Sequence, residues 1–234
     1  MLGVLVNTVA ILFGGAVGLL VQRGIPERFS KAVMTGIGLV IMFIGISGAL
    51  QGENPIILVV SIALGAAAGT ALRIDERLNV LGLKIEQKVS SRKKGKKNSI
   101  AQGFVTSSLL FCVGAMAIVG SINSGLTGDH SIIFTKATID LISAAVLAVS
   151  LGVGVLFSAG AVLVYQGALV LLSQLLRPLL DSPSLLAEIN CAGSLIIVAL
   201  GLNMLGLTKI KVADFLPAVA FVPVVYFISG LVFG

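Results

Sequence analysis

About eight apolar stretches follow one another along the chain, near 2–21, 31–50, 55–72, 103–124, 137–157, 160–176, 186–206 and 212–233. A bilayer core takes about 20 apolar residues as a helix. Residues 103–126, GFVTSSLLFCVGAMAIVGSINSGL, meet that length without a single charge. The pattern predicts an all-α integral membrane protein of about eight transmembrane helices, forming one polytopic domain over 1–234. The fifth and sixth stretches are separated only by Phe157, Ser158, Ala159 and Gly160, and read either as two helices or as one broken element.

Between the third and fourth stretches the pattern changes. In IDERLNVLGLKIEQKV (74–89), Ile74, Leu78, Leu81, Ile85 and Val89 recur at helical spacing and form one apolar stripe. Asp75 and Glu76 open this segment and Lys84 and Lys88 close it, which suits the helix dipole. It predicts one cytoplasmic amphipathic helix lying flat on the membrane surface. The run SSRKKGKKNS follows as a solvated basic loop. The chain thus divides into helices one to three (1–72), a cytoplasmic amphipathic helix and basic loop (73–102), and helices four to eight (103–234).

Charge sets the orientation. Arg23, Arg28 and Lys31 lie between helices one and two, and Lys209 and Lys211 lie between seven and eight. Between three and four lie Arg92, Lys93, Lys94, Lys96 and Lys97. With eight helices all three groups fall on one side, which the positive-inside rule makes cytoplasmic. Glu53, Asp129, His130, Arg177 and Asp181 fall on the other side, and both termini are predicted outside. A seven-helix count would strand Lys209 and Lys211 on the wrong side.

Composition agrees with lipid as the surrounding solvent. Of 234 residues 57% are hydrophobic and only 11% charged, with mean hydropathy +1.10; soluble domains carry about 25% charged residues. The net charge of +6 comes mostly from the loop at 92–97. Between membrane segments such a run faces anionic lipid headgroups rather than nucleic acid. There are 28 Gly and no Trp, and Tyr165 and Tyr226 are too few to mark the interfaces. Cys112 and Cys191 sit in apolar stretches without a spacing motif and read as small core residues. The N-terminus, MLGVLVNTVAILFGGAVGLLV, has neither a charged leader region nor a clear cleavage site and reads as a retained first helix.

Two internal similarities stand out. GALQGENPII (48–57) resembles SGLTGDHSII (124–133), each passing Leu-x-Gly-acid between two helices. LVIMFIGISGAL (39–50) resembles LIIVALGLNMLG (195–206), with Gly45 matching Gly201. Helices two and seven run in opposite senses, so the second match reads as an inverted repeat, a common build of secondary transporters. Leu/Ile/Gly-rich helices also match one another generically, and the sequence leaves both readings open.

In lipid an ionisable or amide group is expensive without a partner, which makes it a functional candidate. Asn7 sits early in helix one, and Ser121 and Asn123 end helix four. Asp140 and Ser143 open helix five, Tyr165 and Gln166 lie mid-helix six, Glu188 and Asn190 open helix seven, and Asn203 ends it. We take Asn123, Asp140, Tyr165, Gln166, Glu188, Asn190 and Asn203 as candidates to line a transport path. Lys136 and Asp140 stand one turn apart on one face, as an interfacial salt bridge or as part of the path. Gly14/Gly18 and Gly65/Gly69 are G-x-x-x-G pairs suited to helix packing. Gly114, Gly120, Gly125, Gly152 and Gly154 are positions where a helix can break and line a cavity.

Enzyme classes find little support, and the expectation is a protein that is not an enzyme. Asp129-His130-Ser131 holds triad residue types, but consecutive residues cannot form a nucleophile–base–acid relay. His130 is the lone His, there is no P-loop, and no nucleotide or C-x-x-C fingerprint is present. No cofactor and no metal are expected.

The stretch SLLFCVGAMAIVGSINSGLTGD (108–129) resembles the signature of an uncharacterised bacterial inner-membrane family, the YqgA/YdfK-like domain-of-unknown-function family (DUF554). So do GIGLVIMFIGISGAL (36–50), LRIDERLNVLG (72–82), GVGVLFSAGAVLVYQG (152–167) and GLNMLGLTKIKVADFLPA (201–218). Leu141 and Asp214 stand where Gly and Asn would be expected. The resemblance covers nearly the whole chain. It implies a multi-pass protein of the bacterial inner membrane and supplies no substrate and no active residues.

Two functions follow as expectations. The first is a secondary transporter or channel for a small solute or ion, with Asp140 or Glu188 as the coupling carboxylate. The second is a non-transporting scaffold or regulator that binds anionic lipid or a partner through its basic loop. Glycine-rich faces also suit a homo-oligomer.

Overall fold

A computed structural model of the chain describes residues 1–22, 27–89 and 100–233. The helices are α1 Leu2–Gln22, α2 Glu27–Ala49, α3 Pro55–Leu72, α4 Ile74–Val89, α5 Ile100–Cys112 and α6 Ala115–Thr127. They continue as α7 Ser131–Leu151, α8 Gly154–Leu171, α9 Ser173–Leu180, α10 Pro183–Met204 and α11 Pro217–Phe233, the last preceded by a tight turn at Val212–Phe215. The basic cluster Arg92, Lys93, Lys94, Lys96 and Lys97 lies outside the described residues, as does Arg23.

Seven segments are long and apolar enough to cross a bilayer: α1, α2, α3, α7, α8, α10 and Val212–Leu231. The fourth predicted helix is instead the pair α5–α6, bent by 60°. Each half has 13 residues, about 20 Å of helix at 1.5 Å per residue, so neither spans alone. Their outer ends lie at opposite ends of α8. Gly154 packs on the Ile100 carbonyl and Gly103 on Leu151, whereas Gly125 packs on Val170 and Ser173. Counted as one broken crossing, the pair brings the total to eight.

Two sequence expectations are corrected here. The fifth and sixth helices are separate and join at Gly152 and Val153 rather than at 157–160, which lies inside α8; the broken element is the fourth, at Gly114, whose φ of 153° is open only to a residue without Cβ. The fifth helix begins at Ser131 rather than 137, because Lys136 is buried against Asp140 inside the helix instead of marking its mouth. Gly152, at φ 74°, makes the turn from α7 into α8.

Both G-x-x-x-G pairs are packing devices within the chain. A methyl on Gly14 or Gly18 would overlap the carbonyl oxygens of Leu141 and Ala145, so α1 and α7 lie in close contact, running parallel. Gly65 and Gly69 do the same for α3 against Ala218 and Asp214. Ile11, Phe111, Leu147, Val155 and Val162 fill the core between α1, α5, α7 and α8.

The contact between α2 and α10 has an internal symmetry. A methyl on Gly45 would lie 2.9 Å from the Ser194 carbonyl oxygen and 2.8 Å from the Val198 nitrogen. One on Gly201 would lie 3.1 Å from both the Gly38 carbonyl oxygen and the Met42 nitrogen. Gly38, Met42 and Gly45 align with Ser194, Val198 and Gly201 in the sequence match. Exchanging the two antiparallel helices maps one set of contacts onto the other, which is a local two-fold relation of the kind an inverted repeat requires. The other similarity, 48–57 with 124–133, falls at two turns on the same face, and what these share is turn chemistry. Asn54 Oδ1 accepts from Ile56 N at 3.0 Å, and Asp129 Oδ1 from Ser131 N at 2.9 Å.

Helix α4 does not lie free on the membrane. It docks on α5 and on the turn before α11. Asp214 Oδ1 accepts from the Asp75 N–H at 2.9 Å, and Lys211 pairs with Glu76 at 3.5 Å. This is the basic face, and Arg73, Arg77, Lys209 and Lys211 gather on it.

Candidate functional site

Four polar side chains from three helices meet inside the protein. Asn7 of α1 donates through Nδ2 to Asp140 Oδ2 of α7 at 3.0 Å and to Gln166 Oε1 of α8 at 3.1 Å. Lys136, one turn before Asp140, forms a salt bridge to the same carboxylate. Asn7 and Gln166 are 0% exposed, Asp140 5% and Lys136 7%. Local sequence brings them together. The Gly14 and Gly18 contacts draw α1 onto α7, and the i, i+4 spacing puts Lys136 and Asp140 on one face. Asn7 lies in the second turn of α1 and Gln166 within two turns of the end of α8, so the cluster sits in the half of the bundle away from the basic face.

The cluster is not saturated. Asn7 Oδ1 and Gln166 Nε2 are buried without a hydrogen-bond partner. One acceptor and one donor are thus left over beside a buried ion pair, and leaving a buried polar group unpaired costs about 1–3 kcal/mol. The Lys136 ammonium also stands 6.0 Å from the Phe111 ring centroid, within cation–π range.

Of the candidates read from the sequence, Asp140 and Gln166 join this cluster and the others do not. Glu188 lies elsewhere, where its Oε1 accepts from the Glu53 and Asn54 N–H groups at 2.7 Å each, pinning the α2–α3 turn to α10. Its Oε2 is buried without a partner, at the edge of a cavity lined by Glu53, Asn54, Ser184, Tyr226 and Ser229. Asn190 bonds Gln51 of the same turn at 3.0 Å. Asn203 shapes the loop after α10, donating to the Ile210 carbonyl at 2.7 Å and accepting from Thr208 and the Ile210 N–H. Asn123 Oδ1 meets Thr127 at the end of α6. Asn7 and Lys136 were visible as an intramembrane amide and a helical charge pair, but nothing in the sequence placed α1 against α7.

Tyr165 faces away from its neighbour Gln166 into a second space. This cavity, of about 640 Å³, lies along the α5–α6 break, and Phe104, Ser108, Cys112, Gly114, Tyr165 and Val219 are among its lining residues. Outside the membrane, Asp129 accepts from the Ser131 hydroxyl at 2.5 Å and from its N–H. Those bonds hold its carboxyl below the ordinary carboxylate range. His130 Nδ1 meets Ser124 Oγ at 2.7 Å, so the three consecutive residues shape the turn into α7 and form no relay. Among the described residues no group of His, Cys, Asp and Glu is arranged to hold a metal ion.

Comparison with known proteins places this architecture. The chain is 31% identical to the "Uncharacterized membrane protein YdfK" of Bacillus subtilis (strain 168) over 232 residues, covering 97% of this chain and 96% of the relative. It is 32% identical to the "Uncharacterized protein YqgA" of Escherichia coli (strain K12) over 218 residues, covering 93% of this chain and 92% of that one. No solved structure matches. The model of one family, described as a protein of unknown function (DUF554), matches residues 2–227, and the chain belongs to that family of membrane proteins.

Proposed function

We propose that this protein is a secondary transporter of a small solute, driven by a proton or cation that acts on the Asp140 cluster. The observation that carries the reading is a buried Lys–Asp pair bridged to two helices by amides that keep a spare acceptor and a spare donor. Such groups inside a membrane protein are expensive and mark ion pathways and proton relays. Protonating Asp140 would discharge its ion pair with Lys136 and weaken the bond from Asn7, which changes how α1, α7 and α8 are tied. The broken crossing α5–α6 and the two-fold contact of α2 and α10 support the same reading, since discontinuous helices and inverted repeats recur in alternating-access carriers. In this reading the protein sits in the bacterial inner membrane, its basic face is cytoplasmic and it catalyses no covalent chemistry.

The test is solute-dependent proton uptake by proteoliposomes carrying an internal pH dye under an imposed potential. The wild type is expected to show it, Asp140→Asn to lose it and Gln166→Leu to weaken it. Glu188→Gln should retain it, because Glu188 lies outside the cluster. A second reading, a non-transporting scaffold that holds lipid or a partner through its basic loop, draws on the fact that Asp140 and Gln166 are each bonded across helices. Equal flux in all variants would remove the cluster from the path, and none in the wild type would favour the scaffold.

A further inference from the structure

We propose that the cavity along the α5–α6 break is a binding site for an uncharged amphiphile, a molecule with an apolar body and one polar head. The cavity measures about 640 Å³, in the range that encloses a drug-sized molecule. Its lining runs from Leu78 at the basic face to Leu176 at the other end and contains no charged side chain. An inorganic ion would enter without a counter-charge and lose its hydration, which a site of this composition does not repay. An apolar body gains by leaving water and by contact with Phe104, Leu109, Ile189 and Val219.

The polar groups are few and placed together. The Tyr165 side chain lies on the wall, and Gly114 interrupts the helix there. The last carbonyls of α5 and the first N–H groups of α6 fall at this break, where no further turn of helix takes them up. These are neutral donors and acceptors, suited to a hydroxyl, amide or similar head. The Tyr165 hydroxyl on this largely apolar wall is the observation that points to a ligand rather than to a void.

The cavity also stands back to back with the ion-pair cluster. Cys112 and Tyr165 line it, while their chain neighbours Phe111 and Gln166 face Lys136 and Asn7. An occupant pressing on α5 and α8 therefore acts on the same helices that the Asp140 network ties together. The proposal names the solute of the transporter reading and rests on that reading for movement, not for binding.

The test exploits the absence of Trp from the chain. Phe104→Trp places a single reporter on the wall, and a terminally brominated decanol serves as a quenching probe for protein in nanodiscs. Saturable quenching, reversed by unbrominated decanol, is expected, with apparent affinity at least about tenfold weaker in a Phe104→Trp/Ala161→Phe background that fills the cavity. Brominated decane, which lacks the head, should bind more weakly than the decanol, and Phe104→Trp/Tyr165→Phe should erase that difference. Quenching that rises only with membrane partition, without saturation or competition, overturns the proposal even if Ala161→Phe fails to fold. Saturable binding with no flux in any variant would leave the site standing and remove the transporter. Asp140-dependent flux without saturable quenching would do the reverse.

Discussion

At the scale of single residues, the Lys136–Asp140 pair is the costliest feature of the protein. Removing one partner of a buried pair leaves an uncompensated charge, a loss of about 3–5 kcal/mol, whereas replacing both by apolar residues is often nearly neutral. Lys136→Met and Asp140→Leu alone should therefore each lower the melting temperature sharply, read as loss of the monodisperse peak after heating in detergent. The double variant should recover much of that stability and still show no coupled flux. Additive losses would mean the two charges do not compensate each other. The spacing of Lys136 and Asp140 was legible in the sequence as a helical pair. Their depth was not, because a lysine ordinarily marks the end of a membrane helix, and that expectation displaced the predicted start of α7. Asn7 was visible only as an isolated amide, since its partners are 133 and 159 positions away.

At the scale of elements, the docking of α4 depends on protonation at its first turn. Burial pushes the Asp75 carboxyl above its ordinary range, and the nearby Asp214 carboxylate adds to the rise. A carboxyl that holds its proton more tightly in the folded state favours that state most below its unfolded pKa, and the advantage fades as pH rises through the raised value. Docking of α4 should tighten as pH falls from neutral toward about 4, and Asp75→Asn should flatten the trend. Hydrogen exchange of the α4 amides, corrected for intrinsic rates, reads this; an unchanged slope in Asp75→Asn would locate the dependence elsewhere. The α2–α10 contact makes a separate prediction. Gly45→Ala and Gly201→Ala press on equivalent backbone atoms, so they should destabilise to similar extents. The double should cost less than the sum, because the first substitution already parts the helices. The match of 39–50 with 195–206 exposed this relation in the sequence. Gly114 stood in the sequence among five glycines where a helix can break, but which of them breaks stayed hidden, because the residues on both sides are as apolar as an unbroken span.

At the scale of the whole molecule, the broken crossing decides where the two ends of the chain lie. If α5–α6 crosses once, there are eight crossings and both termini share a face, opposite the loop holding Lys209 and Lys211. If it dips in and returns, there are seven, and the termini part. The packing favours one crossing, since Ile100 lies beside Gly154 and Gly125 beside Ser173, at the two ends of α8. Charge favours it independently, because only an even count keeps Arg28, Lys31, Arg73, Arg77, Lys209 and Lys211 on one side. Single cysteines at Gln51, Ser131 and Lys209, in a background without Cys112 and Cys191, test this in intact cells. A membrane-impermeant maleimide should label the first two and spare the third, and a reporter after Gly234 should be outside. Label at Gln51 and Lys209 but not at Ser131 would show that the chain re-enters at Gly114. The cluster at Asp140 would then lie in a half-bundle with no opposing repeat, and alternating access around it would lose its physical basis.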